Sequence, residues 1–308
     1  MRALGCALFC ACSFNGVPAA AIDATPTDST TPDAPPSFSE WETPRAIIGH
    51  EVTGAQTYDD PVLLSNGRFY YCATDANGTE EIWVGNLDVN SATVLQPAPI
   101  VELNITSRQS VPWVNENERR MFLSQDTGDD GLLDIVFSRR SSTASNWGPP
   151  SGQLFTGINT ANHDEAINDV GSDELDVIIV SNESGSFDLL RATRQENNVP
   201  FETAVPLPFQ SDPALDELGG RISADGLTMT YNARSLSGEN PPMDLYIARR
   251  SSVDVDFPVG QPIEELNTAQ DENDLWITRD GLVAVFASDR GGAGLALFVT
   301  KREALTGR

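Results

Sequence analysis

Residues 278–302 read TRDGLVAVFASDRGGAGLALFVTKR. Asp280-Gly281 supplies a tight turn, because glycine accepts positive φ at no steric cost. GLVAVFASD then reads as a β-strand, and Gly291-Gly292-Ala293-Gly294 as a hairpin. ALFVTKR, from Ala296 to Arg302, reads as a second strand ending in arginine.

The same layout recurs upstream. DIVFSRR (Asp134 to Arg140), DLLRATR (Asp188 to Arg194) and DLYIARR (Asp244 to Arg250) match the closing strand, and EIWVGNL (Glu81 to Leu87) is a fifth, weaker copy. Their starts lie 53, 54, 56 and 52 residues apart. GRFYYCATD (Gly67 to Asp75) matches GLVAVFASD position for position, and GLTMTYNAR (Gly226 to Arg234) takes the same register. NERRMFLSQ from Asn117 and ELDVIIVSN from Glu174 follow more loosely. A third strand precedes each turn: PVLLS from Pro61, VPWVN from Val111, RISA from Arg221 and LWIT from Leu275. A fourth element is an aromatic, a proline and a β-rich run, as at Trp147 to Pro150, Phe201 to Pro206 and Phe257 to Val259. Pro97 to Val101 stands in where the aromatic is missing. The first copy of this element, Trp41-Glu42-Thr43-Pro44, comes ahead of every other strand.

A fixed period of this length with four strands per copy predicts an all-β fold, a five-bladed β-propeller of four-stranded antiparallel blades. One such sheet cannot bury both faces, so blades pack face to face in a ring. The N-terminal strand, Trp41 to Ile47, is expected to join the last blade and close the ring, covering an edge that would otherwise invite pairing with other chains.

Composition narrows the function. The chain has 308 residues, with 19 Lys+Arg against 45 Asp+Glu and a formal charge of −26. No basic stripe exists to neutralise phosphates, which argues against nucleic acid as a partner, and attraction to anionic lipid is disfavoured likewise. Part of the acidity belongs to the repeat itself, in its Asp-Glu pairs, its Asp-Gly turns and the acid opening the closing strand. Lys301 is the only lysine, a bias that fits a GC-rich genome better than a binding role.

Residues 1–21 read as a secretory signal peptide, with Arg2 ahead of a small and apolar stretch. Two exits are open: Ala19-Ala20-Ala21 suits ordinary signal peptidase, and Leu8-Phe9-Cys10-Ala11-Cys12 resembles a lipobox with Cys12 as the lipidated residue. Residues 22–39, rich in Pro, Thr, Asp and Ser, read as a disordered linker, and 40–308 as the propeller. The expected setting is therefore exported: an outer-membrane lipoprotein, or a periplasmic or extracellular monomer, with membrane contact only through the lipid anchor. Cys72, alone in the folded part, reads as a buried core cysteine.

On the patterns NWGPPSGQLFTGINTANHDEA (Asn146 to Ala166) and TRDGLVAVFASDRGGAGLALFVTKR, the chain resembles the TolB-like, WD-type β-propeller repeats of bacterial envelope proteins. That family runs from an aromatic-Pro strand through Asn-Thr, Asp-Glu and Asp-Gly to an aromatic-Ser-Asp-Arg strand and a Gly-rich hairpin. The second blade departs from it, with Asn115 to Arg120 in place of the Asp-Gly turn. The resemblance implies scaffolding, with an envelope protein or polysaccharide as partner.

Three constellations could carry chemistry. Asp164-Glu165, Asp216-Glu217 and Asp271-Glu272 share one offset before the turn, while Asp59-Asp60 sits two residues later and the second blade has Ser107-Arg108. Such acids could ring one channel mouth and bind a cation, a sugar or a basic peptide; equally, a feature repeated in every copy can be scaffold. Asp126, Asp130 and Asp134 space their carboxylates as a calcium loop does, although a Gly/Asp hairpin explains the same stretch. Lastly, five-bladed propellers include glycoside hydrolases, and Tyr58-Asp59-Asp60-Pro61 resembles their first catalytic aspartate region. The acids of those enzymes break the repeat, whereas here they obey it. No nucleophile elbow, Walker loop, dinucleotide fingerprint or C-x-x-C pair is present. A non-catalytic binding scaffold is thus expected, with a propeller glycosidase as the alternative.

Overall fold

The computed structural model describes residues 37–305 apart from 53, 107, 129–130, 161–164, 172, 209–213 and 239–240. The signal peptide, Cys12, the linker up to residue 36, Asp130 and Asp164 lie outside the described residues.

The fold is all-β, five antiparallel blades arranged in a ring. The first blade comprises Ala55–Leu63, Arg68–Asp75, Glu80–Asp88 and Thr93–Pro99. The second comprises Gln109–Val114, Arg120–Gln125 and Asp134–Arg139, its outer strand reduced to one bridge between Phe137 and Ser151. Glu165–Val170, Asp176–Ser181, Asp188–Thr193 and Val205–Pro206 make the third, and Leu215–Ile222, Thr228–Ser235, Asp244–Arg249 and Gln261–Pro262 the fourth. The fifth is Glu272–Ile277, Val283–Ser288 and Ala296–Lys301, with Arg45–Ala46 hydrogen-bonded to Ala296–Lys301. Ser37–Phe38 also pairs, with Ala304–Leu305, so Ser37 to Ser39 belong to the ordered fold rather than to the linker in which the sequence reading places them.

Strand periodicity builds the ring, because alternate side chains of each strand face opposite neighbours. In Arg68–Asp75, Phe69, Tyr71 and Ala73 pack against Val285, Ala287 and Val299 of the fifth blade. Tyr70 and Cys72 pack the other way, against Met121, Leu123 and Val136 of the second. Three further clusters join the second blade to the third, the third to the fourth and the fourth to the fifth, so every blade junction has an apolar core of its own.

The matching of GRFYYCATD with GLVAVFASD proves one residue out of step. Leu63 pairs with Phe69 across residues 64–68, whereas Ile277 pairs with Ala284 across 278–283. The shorter turn shifts the second strand, so Cys72 answers to Ala287 rather than to Phe286.

Two repeated residues acquire clear physical roles. In the last four blades, the arginine just after the third strand donates from Nε to a turn carbonyl: Arg140 to Glu118, Arg194 to Glu174, Arg250 to Gly226 and Arg302 to Gly281, at 2.6–2.7 Å. Each guanidinium lies over the aromatic of its blade's outer element, 4.4 Å from Trp147, 4.3 Å from Phe201, 4.2 Å from Phe257 and 4.1 Å from Trp41. The planar cation thus ties turn to outer strand by one hydrogen bond and one ring face. Asn104, Asn159 and Asn267 act as a strand would: each amide accepts from and donates to the backbone of Ile82, Ile135 or Leu245 at 2.8–3.0 Å.

Candidate functional site

Each innermost strand carries an irregularity in its pairing, between Asp59 and Val62, Ser110 and Trp113, Ile167 and Asp169, Leu218 and Arg221, and Asn273 and Trp276. Positive φ marks it at Asp60 (50°), Val111 (49°), Gly219 (65°) and Asp274 (56°). Aspartate and glycine adopt that conformation readily; a β-branched valine does so under strain. A bulge re-aims side chains that regular pleating would send into the blade interfaces.

Polar contacts between these bulged strands run from blade to blade. Asp60 Oδ2 accepts the Val111 amide at 2.8 Å, joining the first blade to the second. Trp113 Nε1 donates to Asp169 Oδ1 at 3.1 Å, joining second to third. Asp169 Oδ2 accepts the Ile222 amide at 2.8 Å, and Arg221 Nη1 donates to the Asn168 carbonyl at 2.6 Å, joining third to fourth. The Arg221 guanidinium lies 4.4 Å from the Trp276 ring, joining fourth to fifth. Trp276 Nε1 donates to the Leu63 carbonyl at 2.8 Å, and the Asp60 amide bonds the Asp274 carboxylate, completing the circuit.

Negative charge concentrates on the first blade. One ligand atom each from Asp59, Asp60, Cys72 and Glu80 lies within 4.8 Å of the others. Asp60, Cys72 and Glu80 are buried, while Asp59 keeps partial exposure. Arg108 reaches the edge of this group, its Nε 3.6 Å from Glu80 Oε2. Burial, then the charges of Asp60, Glu80 and Asp274, hold the Asp59 carboxyl well above the ordinary carboxylate range, with Arg108 opposing. Burial and Asp60 push Glu80 up to about 8, against Arg108, and push Asp274 up to about 7, against Arg221. Asp60 is raised by burial, with the Val111 amide and Arg221 opposing; the Cys72 thiol is raised by burial and then by Asp60. Arg221 itself is pulled below the usual arginine range by burial, while Asp169, Asp274 and Asp60 oppose that shift.

The structure separates the acids that the sequence groups together. Asp216 Oδ1 accepts the Phe187 amide at 3.1 Å and the Glu217 amide donates to the Phe187 carbonyl at 2.8 Å. Asp271 and Glu272 treat Met243 in the same way, both bonds being 2.8 Å. The Asp-Glu pair is therefore a clamp on the residue just before the third strand of the preceding blade. Asp216 also binds Arg234, and Glu272 takes bonds from Thr268, Ser288 and Arg290. Glu217 and Glu272 are buried. In the first blade Tyr58 occupies the position of the clamping glutamate, its amide donating to the Leu295 carbonyl. The two-residue displacement of Asp59-Asp60 accordingly places them at the bulge instead. Glu165 opens its strand as Glu272 does.

The hairpin acids behave differently again. Asp126 Oδ2 accepts the Gly131 amide at 3.1 Å, and Asp134 accepts a bond from Thr127. These bonds brace the turn that the strand repeat requires.

Sequence reasoning missed Asp274, Asp169, Arg221, Cys72 and Glu80 as members of one neighbourhood. Glu80 did carry a readable signal. It stands where the other copies have Leu133, Phe187, Met243 and Leu295, a charged residue in an otherwise apolar position. Arg108 breaks the pattern on the facing side, where the Asp-Glu pair stands elsewhere, so the first junction sets an ion pair beside the backbone bridge between Glu80 and Arg108. Asp274 follows Glu272 at the spacing by which Asp60 follows Tyr58.

No protein-family model matches the chain, and no curated protein matches it. Solved structures do. The chain is 14% identical to the catalytic domain of the GH62 α-L-arabinofuranosidase of Coprinopsis cinerea, with a TM-score of 0.58 over 87% of this chain and 98% of that one. To the α-L-arabinofuranosidase PaAbf62A of Podospora anserina the identity is 11% and the TM-score 0.58, over 86% and 97%. TolB of Acinetobacter baumannii superposes at a TM-score of 0.44 and 14% identity, over 80% of this chain and 55% of that one. At these identities the likeness is one of fold, and among the described residues no helix is long and apolar enough to cross a membrane.

Proposed function

We propose that this chain is an exported, non-catalytic propeller that presents a loop face or channel mouth to an envelope protein or polysaccharide. One observation carries the reading: the acids that could have formed a catalytic pair are engaged in holding blades together. Asp216 and Asp271 clamp preceding strands, and Asp60 and Asp169 each accept a backbone amide of the next blade. Export through the leader, anchoring at Cys12 and calcium at Asp126, Asp130 and Asp134 belong to the same proposal.

The glycosidase reading has its own support. Glu80 and Asp274, raised to about 8 and about 7, would hold protons near neutrality as a general acid must. Two assays separate the readings. The immobilised full chain is expected to retain one envelope component saturably, and to leave aryl α-L-arabinofuranosides and envelope polysaccharides uncleaved. Turnover that disappears in Asp274→Asn, with no retained component, would establish the enzyme instead.

A further inference from the structure

We infer that the first blade holds one divalent transition-metal ion of the zinc class, ligated by Asp59, Asp60, Cys72 and Glu80. The inference stands whether or not an external partner is found.

Three adjacent strands supply the ligands. Asp59 and Asp60 lie in Ala55–Leu63, Cys72 in Arg68–Asp75 and Glu80 at the start of Glu80–Asp88. Asp59 pairs with Cys72 across the first two strands, and Cys72 pairs with Ile82 across the next two. A regular sheet would send Asp59 and Asp60 to opposite faces; the bulge at Asp60 brings both to one side. The donor atoms already lie within 4.8 Å of one another. A tetrahedral ion with ligands at about 2.0–2.3 Å spaces them about 3.3–3.8 Å apart, so closure by about 1 Å completes the shell.

A second observation points to a ligand independently of the charge. Asp59 Oδ1 is fully covered yet has no hydrogen-bond partner. A covered carboxyl oxygen without a donor is costly, and a cation within the group, beyond the Arg108 guanidinium at its edge, would supply the partner. A neighbour already orients one ligand: Asp60 is fixed through Oδ2 by the Val111 amide. Such outer contacts commonly hold metal ligands in place. The thiol selects the ion class, since calcium and magnesium take oxygen ligands and borderline metals accept sulfur. This site differs in both place and chemistry from the oxygen-only loop at residues 126–134.

The test uses the full chain and Co²⁺ as a spectroscopic stand-in for Zn²⁺. A variant with Cys6, Cys10 and Cys12 all changed to serine keeps Cys72 as its only thiol. It is expected to bind one Co²⁺ with a thiolate-to-cobalt charge-transfer band, and Zn²⁺ should displace that ion. The band should vanish on adding Cys72→Ser, and Asp59→Asn should weaken Zn²⁺ binding tenfold or more, about the lower bound for losing a direct ligand given the effects of outer-shell changes. No band in the triple variant, or a band that survives Cys72→Ser, would overturn the assignment. Should Cys72→Ser fail to fold, an unchanged Zn²⁺ affinity in Asp59→Asn would overturn it alone.

Discussion

Arg194 and Arg191 show how differently one residue type acts in neighbouring places. Arg194 is 3% exposed, donates to the Glu174 carbonyl, covers Phe201 and faces the Glu174 carboxylate at 3.9 Å. Arg191 is exposed and pairs with Asp176 at the surface. Arg194→Ala should therefore cost about 2 kcal/mol, because it uncovers the Phe201 ring and leaves the buried Glu174 carbonyl without its donor, while the Glu174 carboxylate keeps Arg120 at 2.6 Å. Arg191→Ala should cost less than about 1 kcal/mol. Urea midpoints of the two variants measured side by side decide this, and similar losses would refute it. His50 makes a second residue-level case. It is buried edge-on against Tyr58 at 4.4 Å, and Tyr71 donates to its carbonyl at 3.0 Å. Burial lowers the His50 imidazole below its ordinary range, with Glu51 and the Ile47 backbone opposing. Below the ordinary value, near 6.5, the unfolded chain binds the proton more readily than the native one. The stabilising contribution is thus complete above that pH and declines as pH falls through the lowered folded value. Thermal melts of the wild type should drop more steeply between pH 6.5 and 5 than those of His50→Phe. Parallel curves would discard the idea.

At the scale of elements, the asparagine that follows the outer strand in the first, second and fourth blades acts as a strand end made from a side chain. Asn267 accepts the Leu245 amide and donates to the Leu245 carbonyl, where Gln261–Pro262 is too short to continue the sheet. Asn267→Ala leaves both backbone groups unpaired and should cost about 2 kcal/mol; Asn267→Asp keeps the acceptor but turns an oxygen toward the carbonyl. Chemical denaturation should rank wild type above both variants, and an alanine variant of wild-type stability would contradict the pairing role. These elements also show what a sequence can disclose. Asn-Thr, Asp-Glu, Asp-Gly and the closing arginine were visible as a repeat, because each has a fixed position relative to the strands. Their partners were not, since Arg250 meets Phe257, and Asp271 meets Met243, only after the sheets fold and stack. The bulges were less visible still, because neither Asp60 nor Val111 announces positive φ in its residue type. What could be read was departure from the pattern: Glu80, Arg108 and the displaced Asp59-Asp60 all break the repeat, and all belong to one neighbourhood.

For the whole molecule, five apolar junctions and one polar circuit enclose the same axis, so the loss of a single blade partner affects its neighbours on both sides. Ile47 and Trp41 are buried in the clusters on the two sides of the fifth blade, and Trp41 lies beneath Arg302. A chain starting at Gly49 would lack both, together with Arg45–Ala46, leaving Ala296–Lys301 as a bare edge. It should melt well below a chain starting at Ser37 and associate at concentrations where the longer form stays monomeric. Differential scanning fluorimetry with light scattering would show this, and equal behaviour of the two forms would remove the N-terminal segment from any structural role.

The pairing of Ser37–Phe38 with Ala304–Leu305 has a topological consequence. Residues far apart in sequence are direct neighbours there, so the order in which the blades are written along the chain is a convention rather than a requirement. Joining residue 305 to residue 37 through a short glycine linker, and cutting at the exposed turn Ala76-Asn77-Gly78, should yield a circular permutant with the same sheets. In that permutant, the blade now stitched from two distant segments would become a continuous hairpin sequence, and the first blade would take over the stitching.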